Sequence, residues 1–222
     1  MCRNCAITKQ SQKTRVEWCQ SEQQLEQDWH RVVFSDESWF EIGAGRQFCW
    51  RHYYDSGEKV TCAKRAHPPK LMIWGAIGYN YKSNLVFLDK NITGDIYFAD
   101  VICSGFLDTA DECFGFNQWV LQQDNARPHI RKDIVEAMHN LSISILPRWP
   151  PYSPHLNVIE TVWAIMKLRV RQTNPQTVAE LRDVVQSVWD NLSLETINGL
   201  IDEMMRRLIA VIANQGRTLQ HL

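Results

Sequence analysis

Three acidic residues stand in phrases that could do chemistry: Asp36 in Phe34-Ser-Asp-Glu-Ser, Asp124 in Gln122-Gln-Asp-Asn-Ala-Arg-Pro-His, and Glu160 in Ser153-Pro-His-Leu-Asn-Val-Ile-Glu. Asp36 and Asp124 each follow an apolar run that reads as a buried strand. Neighbouring strands lie about 4.8 Å apart, so two carboxylates leaving them side by side could share one divalent cation. Without a cation they repel and raise one another's pKa; Mg²⁺ or Mn²⁺, hard ions that prefer oxygen ligands, would remove that penalty. Two such ions on three carboxylates would activate a water or a 3′-hydroxyl on one side of a phosphodiester and stabilise the leaving oxygen on the other. Singly, each acid reads as turn or helix-surface chemistry. Together they point to phosphoryl transfer on a nucleic acid.

The elements that must position these acids are legible in the apolar spacing. Val32, Phe34 and Asp36 share one face of a strand, with Asp36 expected at its C-terminal edge. Residues 39–42 and 47–50, around Gly43, predict a hairpin, residues 70–78 a buried strand and residues 85–88 a further one. A helix over 93–107 precedes a strand over 118–124. A helix over 130–140 and a strand over 143–146 follow. Four prolines between Pro147 and Pro154 exclude helix and central strand there and predict a rigid connector. Beyond it, Ile159, Val162, Trp163, Met166 and Val170 form the core stripe of a helix, with Glu160, Lys167 and Arg171 on the adjacent stripe. Helices over 177–191 and 194–213 close the chain, and residues 12–29 read as a helical lead-in. The order predicts an α/β fold, a sheet with helices on both faces.

Composition narrows the class. The chain has 222 residues, 45% of them hydrophobic, and nine Trp, enough for a packed core. Basic and acidic residues number 24 and 25, so a polyanion would be held by a local patch and not by a global field. One such patch lies between Arg46 and Lys70, where Arg46, Arg51, Lys64 and Arg65 stand among Phe48, Trp50, Tyr53 and Tyr54. Cations there could meet phosphates while aromatic faces stack on unpaired bases, or the segment could be an ordinary solvated hairpin. Arg127, His129, Lys167 and Arg171 are further candidate DNA contacts close to the acids, with His129 alternatively an outer support of the metal site. Seven scattered Cys and no apolar leader suggest a reducing, intracellular setting, and no run suits a membrane-spanning helix, so no membrane partner is expected. The Cys2-x-x-Cys5 pair lacks the second pair that a zinc site needs.

Five phrases carry a resemblance: Ser35-Asp-Glu-Ser, Lys70-Leu-Met-Ile-Trp-Gly, Gln122-Gln-Asp-Asn-Ala-Arg-Pro-His, Tyr152-Ser-Pro-His-Leu-Asn-Val-Ile-Glu-Thr-Val-Trp and Arg206-Arg-Leu-Ile-Ala-Val-Ile. In type, order and spacing they resemble the Tc/mariner superfamily of DDE transposases over roughly residues 12–222. The resemblance implies a ribonuclease H-like fold with a mixed central sheet, and cut-and-paste movement of DNA. It implies Asp36, Asp124 and Glu160 as the catalytic, metal-binding triad for two Mg²⁺ ions, replaceable by Mn²⁺. It further implies DNA partners (transposon ends and target DNA), a homodimer and, in a eukaryote, a nuclear location. The organisation expected is a tail and linker helix over 1–29, a catalytic domain over 30–213 with a basic, aromatic insertion at 46–70, and a tail over 214–222.

Where the family has Asp and Pro, this chain has His155 and Val158, and the Asp124–Glu160 spacing is one residue longer than the commonest. His155 would bring positive charge towards the metals, and Val158 gives up a Pro-fixed helix start. The family's two N-terminal helix-turn-helix modules have no counterpart in residues 1–11, so a catalytic domain alone is expected. A non-catalytic remnant that binds DNA, and a nuclease for RNA–DNA hybrids, are the alternatives.

Overall fold

In the computed structural model, residues 7–24, 28–43, 68–88 and 92–218 are described. Strand β1 (Val32–Glu41) is the axis of the sheet. It pairs antiparallel with β2 (Lys70–Gly78), from Phe34 opposite Ile77 to Glu41 opposite Lys70. On its other side it pairs parallel with β5 (Val120–Gln122), which in turn pairs parallel with β6 (Ser144–Ile145). The outer edge of β2 carries β3 (Tyr81–Lys82) and β4 (Val86–Leu88). The sheet is therefore mixed, as the resemblance implied.

Strand alternation divides the core into two layers. Val32, Phe34, Phe40, Leu71, Ile73 and Ile77 face one layer. It is completed by α1 (Lys9–Gln24), α5 (Ile159–Thr173), α6 (Val178–Asp190), α7 (Leu194–Asp202) and α8 (Met204–Ala213). Val33, Met72, Trp74, Ala76 and Leu121 face the other. That layer is covered by α2 (Gly94–Ile96), the π-helical stretch Tyr97–Phe106 that continues it, α3 (Leu107–Phe114) and α4 (Lys132–Asn140). Helices thus cover both faces. Thr93 and Thr177 cap their helices by accepting from Ile96 N and Glu180 N, which fixes the two starts locally.

Several boundaries differ from the sequence reading. Asp36 lies within β1 and not at its end, because Ser38 and Phe40 continue the buried alternation and pair with β2. Residues 39–41 pair with β2, while residues 47–50, the other half of the expected hairpin, fall outside the described residues together with Arg46, Arg51, Lys64 and Arg65. The helix expected over 93–107 runs to Phe114 and kinks at Gly105, whose φ of +103° suits a residue without a side chain. The expected 194–213 helix breaks at Glu203 into α7 and α8. The lead-in helix spans Lys9–Gln24 and not 12–29.

The proline-rich connector is held from two sides. Arg15 of α1, with no exposed surface, donates to Tyr152 O at 2.5 Å. Arg207 of α8 donates to His155 O at 3.0 Å and to Thr161 Oγ1 at 3.2 Å. Arg148 and Tyr152 sit at φ +55°, left-handed backbone that side-chain-bearing residues tolerate only when their surroundings hold them. The clamp matters because this connector delivers the first turn of α5, and with it Glu160.

His155 departs from its expected role. Burial, with Arg15 and Arg207 beside it, pushes its pKa down to about 3, so at neutral pH it is uncharged and adds no positive charge to the site. Between pH 6.5 and 3 the unfolded chain binds a proton here that the folded chain refuses, so stability falls as pH drops through that window. His155→Asn should therefore lose about 1–2 kcal/mol less than the wild-type protein between pH 7 and pH 5. Chemical denaturation of both proteins at the two pH values checks this.

Candidate active site

Asp36 projects from the face of β1 that packs on α5, and Trp163, one turn beyond Glu160, donates its indole Nε1–H to Asp36 Oδ2 at 3.2 Å. Opposite Asp36 in the register stands Gly75. A Cβ there would meet Trp163 Cη2 at 3.0 Å, Leu85 Cδ2 at 3.1 Å and Trp189 Cη2 at 3.3 Å, so its absence lets the indole reach the strand. Trp163 is itself fixed by Trp189, stacked at 5.6 Å, and by Phe40, edge-on at 6.4 Å.

Asp124 comes two residues after β5. Since Gln122 pairs with Phe34, the same parallel register brings Asp124 alongside Asp36. Its Oδ1 accepts from Ala126 N at 2.8 Å, closing an Asx-type turn, and lies 2.8 Å from His129 Nδ1. Glu160 enters from α5, whose first turn favours a carboxylate through the helix dipole. Asn157 Nδ2 donates to Ser35 O at 3.1 Å, and Ser35 Oγ donates to Gln122 O at 2.9 Å. These bonds tie together the three segments that carry the three acids.

The electrostatics follow from this convergence. Burial first, then the charges of Glu160, Glu37 and Asp124, hold the Asp36 carboxyl well above the ordinary aspartate range. Burial also raises Glu160, against the pull of Lys167 and with a further push from Asp124. Asp124 is shifted down: burial opposes ionisation, but His129 and the Ala126 amide outweigh it. The set thus keeps closely spaced negative charge at a cost.

Among the described residues, no group of three or more His, Cys, Asp or Glu stands close enough together to hold a metal ion as it is. Asp36 Oδ2 is turned to Trp163, and Asp124 Oδ1 to Ala126 and His129. The donor chemistry nevertheless fits a hard divalent cation, being carboxylate oxygen throughout with repulsion left to neutralise.

The other candidates divide. His129 is 3% exposed and held between Asp124 and Glu37, and this burial rules it out as the DNA contact that was expected. Arg127 and Arg171 are exposed. Lys167 is half-buried, its Nζ 5.7 Å from the centre of the Phe40 ring and close enough to Glu160 to depress its pKa. Sequence reasoning took Trp163 as packing alone and passed over Glu37 and Tyr97. Strand alternation was the available signal for Glu37, since it must face away from Asp36.

A family profile for the DDE superfamily endonucleases matches residues 31–182. The chain belongs to that family. The relatives it is similar to are Tc-type and mariner transposases. It is 28% identical over 217 residues to the Tcb2 transposase of Caenorhabditis briggsae, covering 95% of this chain and 78% of the relative. Its fold superposes on the Mos1 transposase catalytic domain solved with Raltegravir and Mn, with a TM-score of 0.76 at 15% identity, covering 98% of this chain and all of the other. Against a Mos1 chain in a pre-cleavage transpososome the TM-score is 0.83 at 15% identity, covering 96% of this chain and 65% of that one. The chain thus spans about two thirds of that longer transposase.

Proposed function

We propose that this domain cleaves and joins DNA strands by divalent-metal-dependent phosphoryl transfer, with Asp36, Asp124 and Glu160 as the metal-binding carboxylates. One observation carries the reading: a central strand, the turn after its parallel neighbour and the first turn of α5 bring the three acids to one electrostatically coupled site. Two Mg²⁺ or Mn²⁺ ions held there would supply Lewis-acid polarisation of the phosphodiester and a more acidic attacking hydroxyl.

The residues of the chain have separable tasks. Trp163 orients Asp36, His129 and the Ala126 amide hold Asp124, and the Arg207 clamp sets the start of α5 and so the place of Glu160. Lys167, beside Glu160, together with Arg127 and Arg171, offers cations to the DNA backbone. In cleavage, a water oxygen bonds to phosphorus as the P–O3′ bond breaks, the water's proton is lost and the 3′-oxygen leaves as a hydroxyl. In joining, that hydroxyl attacks a target phosphodiester, with a new P–O bond replacing the old. Transposon ends and target DNA are the substrates, and a homodimer would give each end its own site.

The Mos1 catalytic domain has been solved with Mn and with Mg, which supports the choice of ions. A non-catalytic remnant is disfavoured, since all three carboxylates remain and share one site. The test is Mn²⁺-supported joining of a pre-cut 3′-hydroxyl end to plasmid DNA. Wild-type protein should join, chelation should stop it, and Asp124→Asn should reduce it to background. Joining by Asp124→Asn at the wild-type rate would sink the assignment.

A further inference from the structure

Asp36 and Glu37 are consecutive acids on one strand, and the strand period sends them to opposite faces of the sheet. Asp36 turns towards α5. Glu37, 14% exposed, turns the other way and places Oε1 3.3 Å from His129 Nε2. The other ring nitrogen, Nδ1, lies 2.8 Å from Asp124 Oδ1. The imidazole therefore spans from a carboxylate that has no place in the proposed metal set to one that does.

The ring is fixed on further sides. Tyr97, fully buried, lies against it with ring centres 4.2 Å apart. The Tyr97 hydroxyl donates to Gln123 Oε1 at 2.6 Å, and Gln123 Nε2 donates to His129 O at 3.3 Å. His129 N donates to Ala126 O at 2.9 Å, closing the turn from Ala126 to His129 that follows the Asp124 turn. With 3% of its side chain exposed, His129 has no surface left for a phosphate.

We infer that Glu37 and His129 are positioning residues for Asp124: Glu37 sets the angle of the imidazole, and the imidazole fixes Asp124 Oδ1 so that Oδ2 is offered to a cation. With a carboxylate oxygen facing each ring nitrogen, the ring is held from two sides and cannot turn without giving up one of them. Carboxylate ligands held in this way bind metal more tightly because less freedom is lost on binding, and removing such supports typically costs about 10–100-fold in metal affinity. The inference deepens the proposed function and rests on Asp124 being a metal ligand. It also separates the two acids of the Ser-Asp-Glu-Ser phrase, Asp36 to hold metal and Glu37 to steady a different ligand.

The experiment measures Mn²⁺ affinity of the full chain by loss of the free-ion paramagnetic resonance signal, with thermal melting of each variant in parallel. His129→Ala should weaken Mn²⁺ binding about 10–100-fold and Glu37→Gln about 10-fold. His129→Asn, whose amide nitrogen can stand where Nδ1 stood, should recover binding to within about 3-fold of wild type by the same reasoning. A role in folding alone predicts lowered melting temperatures with unchanged Mn²⁺ affinity, and that result overturns the inference. Should His129→Ala not fold, the isosteric Glu37→Gln decides: wild-type affinity in that variant overturns it equally. Asp124→Asn separates the two levels. If it binds Mn²⁺ as tightly as wild type, the metal reading fails and the positioning role with it; if it does not bind while Glu37→Gln and His129→Ala both match wild type, only the positioning role fails.

Discussion

Asp36→Asn protein is expected to melt above wild-type protein when both are free of divalent cations, and below it when Mn²⁺ is abundant. The sign follows from the carboxyl's environment. Its folded pKa is raised above the unfolded value by burial and by Glu160, Glu37 and Asp124. The folded chain therefore holds a proton at pH values where the unfolded chain has released it. Stability from this group is present at low pH and is lost as pH rises towards the folded pKa. Keeping this carboxyl folded costs stability at every pH above the unfolded pKa, and a neutral amide that still accepts from Trp163 Nε1 relieves that cost. A gain on the order of 1 kcal/mol would raise the melting temperature by about 2–4 °C in a domain of this size. Mn²⁺ at 100 times its dissociation constant should add about 2.7 kcal/mol to the wild-type protein and much less to the variant, which inverts the order. Calorimetric melts with and without Mn²⁺ read both effects. A metal-free variant that melts below wild type would show that Asp36 is not held against its charge.

Trp163→Ala should be the most damaging single change in the core. The side chain is 1% exposed, stacks on Trp189, meets Phe40 edge-on and bonds Asp36, so its removal opens a cavity between α5, α6 and the sheet. Losses of about 3–5 kcal/mol are usual for such a truncation. Trp163→Phe separates packing from polar support: it keeps most of the apolar contact and deletes the indole N–H. Urea denaturation should show a stability loss of no more than about 2 kcal/mol for Phe, while Mn²⁺ affinity still falls because Asp36 loses its donor. Equal Mn²⁺ affinity in Trp163→Phe and wild type would confine Trp163 to packing.

The three acids were legible because each lies in or just after a patterned element: β1 by alternation, β5 by its apolar run, α5 by its stripe. What surrounds them was legible only in part. Local pattern could not show that β1 runs on to Glu41, because nothing in the strand itself names its partner, and β2 is remote in sequence. Buried Arg15 and Arg207 look like surface residues of amphipathic helices, yet they reach backbone carbonyls of a connector more than 130 and about 50 residues away in sequence, respectively. His155 read as a possible cation for the same reason: the burial that keeps it neutral, and the two guanidinium groups that add to it, come from parts of the chain remote in sequence. Glu37 was hidden by its neighbour, since the stronger phrase made Asp36 the acid of interest. Period-2 alternation alone would have turned it to the other face.

The central claim is that Asp36, Asp124 and Glu160 together hold divalent metal. Calorimetric titration of the wild-type chain and of the Asp36→Asn, Asp124→Asn, Glu160→Gln triple variant with Mn²⁺ tests it most directly, with circular dichroism confirming that both are folded. Saturable binding by the wild-type protein and none by the variant is the predicted result; binding of equal affinity and stoichiometry in the two would contradict it.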